Sequence, residues 1–141
     1  MIGITILCAG TLKESYLRDA AAEYSKRLKG YCRLTVNELK DCSSMLSRLD
    51  RSAYNIALCV EGSEMSSPEL AGLISDQAVR GKSEICFVIG ESDGLPEEVK
   101  RACDLRLSFS KMTFPHQLMR VILLEQVYRA FTIINGGKYH K

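Results

Sequence analysis

Short apolar runs alternate with segments whose apolar residues recur every three or four positions, and this alternation restricts the chain to an α/β architecture with a parallel-core sheet. Ile2 to Cys8 reads as a buried strand, followed by a turn at Ala9-Gly10. Leu12, Tyr16, Leu17, Ala20, Tyr24 and Leu28 then mark a helix face that stops at Gly30. Cys32, Leu34 and Val36 alternate with polar neighbours and predict a second strand nearer an edge, and Asp41 to Asp50 is short and mildly helical. Tyr54 to Val60 is apolar on both faces, which places this third strand inside a parallel sheet, with Glu61-Gly62 expected to end it.

Ser66-Ser67-Pro68-Glu69 predicts a serine-capped helix start with proline in the first turn, and the helix runs to about Arg80 before Gly81. Ile85 to Ile89 is a fourth strand, and a short helix from about Pro96 to Ala102 follows. Leu105, Leu107 and Phe109 alternate as a fifth, more exposed strand. The longest helix spans Pro115 to about Ile133 and ends at Asn135-Gly136-Gly137.

A length of 141 residues suits one domain over residues 1–141. A formal charge of +2 is too small to argue for nucleic acid by itself. Locally, Lys111, Arg120, Arg129, Lys138 and Lys141 face Glu125 as the sole acid between Lys111 and Lys141, an excess suited either to a phosphate backbone or to an ordinary solvated surface. Cys8, Cys59 and Cys86 lie in apolar runs and read as small buried hydrophobes, while Cys32, Cys42 and Cys103 lack metal-ligand spacing. No metal is expected, and the thiols fit a reducing, cytoplasmic setting. The start of the chain lacks the basic leader of an export signal, and no run reaches the roughly 20 apolar residues needed to span a membrane.

Open sheets bind ligands beyond the carboxyl ends of their strands, which directs attention to Glu61-Gly62, Gly90 to Gly94 and Ser108 to Phe114. Gly62 and Gly90 each follow a buried strand, either to let a ligand approach the backbone or simply to turn the chain. Neither G-x-G-x-x-G nor a phosphate-loop lysine is present, which speaks against dinucleotides and triphosphates. Glu61, Glu91 and Asp93 would suit a cofactor with a positive centre, or are solvated turn acids. The loop from Phe109 to Phe114 is too apolar for an ordinary connection; it either sandwiches an adenine ring or forms a hydrophobic plug. Arg120 and Arg129, nine positions apart, point in different directions on their helix, so one is expected to satisfy an acid such as Glu125 and the other a phosphate. The tail Tyr139-His140-Lys141 is either held by something or frayed.

Several blocks carry a resemblance across nearly the whole chain. Leu58-Cys59-Val60-Glu61-Gly62, Phe87-Val88-Ile89-Gly90, the stretch Leu107 to Val121, Leu124 to Ala130 and the terminal Tyr139-His140-Lys141 closely resemble the ribosomal large subunit pseudouridine methyltransferase H family of the SPOUT superfamily. The resemblance implies a C-terminal deep trefoil knot and a homodimer. It also implies methyl transfer from S-adenosylmethionine to N3 of a pseudouridine in helix 69 of 23S rRNA on the assembled 70S ribosome. Leu58, Gly62, Gly90, Phe109, Ser110, Lys111, Met112, Thr113 and Phe114 carry over as cofactor residues, and Arg129, Tyr139 and His140 as catalytic or RNA-binding groups. The chain departs from the family pattern at Cys59 and Glu91, and it is short between Asp41 and Tyr54. Those departures keep a noncatalytic RNA- or ribosome-binding relative as an alternative, beside a methyltransferase for another rRNA or tRNA position.

Overall fold

The alternation of side chains along each apolar run gives the sheet two faces to bury, and helices cover both. The computed structural model describes all residues from Met1 to Lys141. Its elements follow in the order β1 (Gly3–Ala9), α1 (Ser15–Leu28), β2 (Arg33–Leu39), a 3-10 turn (Cys42–Ser44) leading into α2 (Met45–Arg48), and β3 (Tyr54–Glu64). After these come α3 (Ser67–Val79), β4 (Glu84–Ile89), α4 (Glu97–Ala102), β5 (Leu105–Ser108) and α5 (His116–Ile134). Every strand pairing is parallel, in the order β2-β1-β4-β3-β5. The edge position expected for the second strand and the internal position expected for the third are both found.

Ile4, Ile6, Ile85, Phe87 and Ile89 pack on one face with residues of α1, α3 and α5. Their neighbours Leu7, Ala9, Cys86 and Val88 pack on the other with Met45 of α2 and Val99 of α4. Helix α3 starts as its sequence dictates: the Ser66 side chain accepts from the Glu69 backbone N–H while the Glu69 carboxylate accepts from the Ser66 N–H. It ends before Gly81, whose φ of +92° suits glycine alone.

Two features of the frame were not legible in the pattern. The first is the end of β3, which runs on to Glu64 instead of stopping at Glu61-Gly62. Its pairing with β5 proceeds from Ile56 opposite Leu105 to Leu58 opposite Leu107, breaks, and resumes with Ser63 opposite Leu107 and Glu64 opposite Ser108. The intervening residues bulge outward, so a sequence that reads as a turn is a detour within one strand. Strand β5 in turn ends at Ser108, leaving Phe109 in the following loop.

The second feature is Arg120, only 4% exposed on α5. Its guanidinium donates to the Glu38 carboxylate at 2.5 Å and to the Gly10 carbonyl at 2.9 Å. This ties α5 to the carboxyl ends of β1 and β2, and it removes Arg120 as a phosphate ligand. Arg120 is buried while the Glu38 side chain is 39% exposed, so losing Glu38 strands the arginine's charge at a cost below the roughly 3–5 kcal/mol of a fully buried pair.

At the bulge, the chain passes itself with no room to spare. A Cβ placed on Gly62 would lie 2.7 Å from the carbonyl carbon and oxygen of Arg106, and backbone cannot rotate away as a side chain would. Gly62→Ala is therefore expected to lower unfolding stability by about 1–3 kcal/mol, the usual cost of overpacking. Urea denaturation followed by circular dichroism measures this; an unchanged midpoint would show that the bulge yields freely.

Candidate functional site

The carboxyl ends of β3, β4 and β5 open onto a cavity of about 710 Å³, a size typical of small-molecule sites. Leu58, Gly90, Phe109, Ser110, Met112, Thr113 and Phe114 line it, so the structure brings together most of the residues singled out for a cofactor. Gly62 and Lys111 are not on its wall: Gly62 lies against the β5 backbone, and Lys111 is exposed to solvent.

Local chemistry explains how each wall is shaped. A Cβ on Gly90 would meet the Gly94 carbonyl oxygen at 2.5 Å, so this glycine lets the turn through Glu91 to Gly94 fold back upon the strand end. That turn is closed by the Gly94 N–H donating to the Glu91 carbonyl at 2.8 Å, with Gly94 at φ +87°. The loop after β5 holds its own shape. The Ser108 hydroxyl donates to the Ser110 carbonyl, and the Ser110 hydroxyl accepts from the Met112 N–H, both at 2.9 Å. Phe109 and Phe114 are half-buried, whereas Met112 is 75% exposed. An apolar wall with free backbone edges can receive a flat heteroaromatic ring.

Charge enters the cavity from Glu61, Glu91, Asp93 and Lys100. Lys100 comes from α4 and forms an ion pair with Glu61, which holds the Glu61 carboxyl below its ordinary range. Sequence reasoning did not single out Lys100, because one lysine on a short amphipathic helix carries no signal of its own. The start of α5 contributes His116 and Met119. Cys59, expected as a buried hydrophobe, is instead only part-buried on the pocket wall, because the bulge carries it away from the sheet. Burial raises the Cys59 thiol above its ordinary value, and it pushes those of Cys8, Cys32, Cys86 and Cys103 up to about 11, 11, 12 and 11 respectively, so these four stay protonated at neutral pH. No group of three or more His, Cys, Asp or Glu side chains is arranged to hold a metal ion.

Arg129, Tyr139 and His140 form a second cluster, which is absent from the pocket wall. Glu125 gathers it. Its carboxylate accepts from Arg129 Nε at 3.0 Å and from the Tyr139 hydroxyl at 2.7 Å. The Arg129 guanidinium also contacts His140 Nδ1 at 3.1 Å and lies 4.8 Å from the Tyr139 ring centroid. Tyr139 packs edge-on against Tyr128 at 4.9 Å. The tail is thus held rather than frayed, and Arg129 is the arginine that takes Glu125 as its acid. Sequence reasoning offered Glu125 only as an arginine partner; its bond to a residue 14 positions later depends on how the tail folds back.

A parallel α/β sheet with a ligand-sized cavity beyond its strand ends places the chain among the open-sheet proteins that bind their ligands at that crevice. Residues 2–140 match the family model described as predicted SPOUT methyltransferase, and the chain belongs to that family. It is 49% identical to the ribosomal RNA large subunit methyltransferase H of Clostridium novyi, with 99% of this chain and all of the relative covered. The protein of that name in Bacillus pumilus is 44% identical over the same shares. Both alignments span 159 positions against the 141 residues here, so at least 18 positions have no counterpart. A methylase-family protein of Haemophilus influenzae shares the fold, with a TM-score of 0.61 at 15% identity over 98% of this chain and 70% of that one. So does a Legionella pneumophila protein described as a methyltransferase and solved with its cofactor SAM, with a TM-score of 0.53 at 10% identity over 92% and 66%.

The hydrogen bond to Glu125, followed by burial, pushes the Tyr139 phenol up from 10 to about 12. The neutral phenol is the form that binds the carboxylate, so this tail contact persists below pH 10 and is lost as pH rises through about 12. Glu125→Gln is expected to bring Tyr139 back toward 10. Titration of its ring carbons by nuclear magnetic resonance measures the change, and an unmoved midpoint would remove Glu125 as the cause.

Proposed function

We propose that this chain is an S-adenosylmethionine-dependent methyltransferase of ribosomal RNA. Its target in this reading is N3 of a pseudouridine in helix 69 of 23S rRNA, on the assembled 70S ribosome. The observation that carries the proposal is the cavity at the ends of β3, β4 and β5, lined by Leu58, Gly90 and the 109–114 loop, in a chain of the SPOUT methyltransferase family. Relatives named for rRNA methylation, aligned over nearly its whole length, supply the substrate class.

The residues present fit the cofactor. Phe109 and Phe114 offer apolar surface for an adenine ring, free backbone beside Leu58 and the loop can read its edge, and Glu61, Glu91 and Asp93 lie where a positive centre is favoured. When bound, S-adenosylmethionine supplies a methyl group activated by its sulfonium. The remaining requirement falls on the protein, because N3 of a uracil-type ring is protonated at neutral pH and must lose that proton to become a nucleophile. In this reading His140 takes or relays the proton. Arg129, held by Glu125, stabilises a phosphate or the negative charge developing on the ring, and Tyr139 fixes the tail.

Helix geometry supports a homodimer as the working form. Met119 is on the pocket wall, and Arg129 is ten residues farther along α5, a rise of about 15 Å. A subunit therefore holds its own tail away from its own cavity, and a partner's tail would complete the site. Leu118 and Ile134, each 36% exposed on α5, offer apolar surface for such pairing. The trefoil knot belongs to the same proposal, supported by membership of the SPOUT methyltransferase family. So does action as one unit over residues 1–141, supported by the single sheet with both faces covered. A noncatalytic ribosome-binding relative is the second reading, favoured by Cys59 and Glu91 on the pocket wall and by the missing alignment positions.

Calorimetric titration with S-adenosylmethionine, followed by methyl transfer to 70S ribosomes, free 23S rRNA and tRNA, separates these readings. Saturable binding and transfer to ribosomes are expected; ribosome binding without cofactor binding would favour the noncatalytic reading, and transfer to tRNA would change the target. His140→Gln should lower turnover by about a hundredfold or more with cofactor affinity retained. Arg129→Ala should weaken ribosome binding. Normal values for either variant would remove that residue from its role.

A further inference from the structure

Lys100 is the only Lys or Arg on the wall of the 710 Å³ cavity. Its side chain is 15% exposed, and its ammonium is engaged by the carboxylate of Glu61, itself 53% exposed. The two arrive from separate elements, Lys100 from α4 and Glu61 from the bulge after Leu58. Neither is among the residues that the family resemblance assigns to the cofactor, and the lysine that it does assign, Lys111, lies off the wall. Leu58, Gly90 and the 109–114 loop can account for an adenosine, yet they offer no cation to a carboxylate.

We propose that the Lys100–Glu61 pair is the subsite for the α-amino-acid end of an adenosyl-methionine-type ligand, Lys100 taking the α-carboxylate and Glu61 the α-ammonium. The inference rests on the cofactor reading above and extends it to how the non-adenosine part is recognised. An ion pair matches a zwitterion in both signs, so the amino-acid end of the ligand adds no net charge to the cavity. It exchanges one charge-assisted contact for two, between groups that Lys100's burial has already partly freed from water. Without an occupant the pair satisfies itself, which keeps the lysine, with its side chain only 15% exposed, from standing as an uncompensated charge.

S-adenosylhomocysteine and 5′-methylthioadenosine share the adenosine and the thioether, and only the first carries the amino acid, so the two together isolate this subsite. Calorimetric titration of the full chain should show S-adenosylhomocysteine binding more tightly. Lys100→Met is expected to weaken it about tenfold while 5′-methylthioadenosine stays within about twofold, with Lys100→Arg recovering most of the loss. Equal wild-type affinity for the two ligands, an unchanged S-adenosylhomocysteine affinity in Lys100→Met, or parallel weakening of both would overturn the subsite while leaving the cofactor reading intact. A wild-type chain that binds neither ligand would overturn the cofactor reading and this inference with it.

Discussion

The double pairing of β3 with β5 around a bulge is the constraint from which the rest of the site follows. Leu107 is opposite Leu58 before the detour and opposite Ser63 after it. The residues in between are therefore pushed out of the sheet, and they become one wall of the cavity instead of more strand. Gly62 makes the return possible because its bare backbone can lie against Arg106 and Leu107. Without that close return, Cys59 and Glu61 would not be presented at the cavity and Glu61 would not meet Lys100.

Around this frame, polar groups are used to fix position as well as to bind. Arg120 commits its guanidinium to Glu38 and Gly10, fastening α5 to the carboxyl ends of β2 and β1, beside the strands that carry the cavity. Glu125 does the corresponding work farther along the helix, drawing Arg129 and Tyr139 together. The loop after β5 is shaped by its own hydroxyls. Its backbone is set locally, while Phe109 also packs against the main core.

Much of the architecture was legible because local periodicity and burial agree. The doubly apolar Tyr54 to Val60 stretch is an internal strand, and the Ser66 and Glu69 cap stands where its spacing places it. The apolar loop 109–114 does line a cavity, since so much exposed hydrophobic surface is costly elsewhere. What escaped reading depends on contacts between distant residues. The extension of β3 to Glu64 is set by its partner strand, as Ser63 and Glu64 have no apolar alternation of their own. Arg120 meets Glu38 across 82 positions, and Lys100 meets Glu61 across 39, separations at which composition and spacing are silent. Gly62 was legible as special but not as a point where two backbones cross, because a turn glycine and a crowded glycine look alike in sequence.

Helix α5 joins these features mechanically. It is a rod of 19 residues that contributes His116 and Met119 to the cavity at one end and carries the tail cluster toward the other. Arg120 anchors it nine residues before Arg129, or ~13 Å along the axis. Leu123, Leu124 and Val127 bury the stretch between in the core. The cavity end and the tail end of α5 are thus parts of one rigid body, and the spacing between them is fixed by the packing of the helix rather than by the loops at either end.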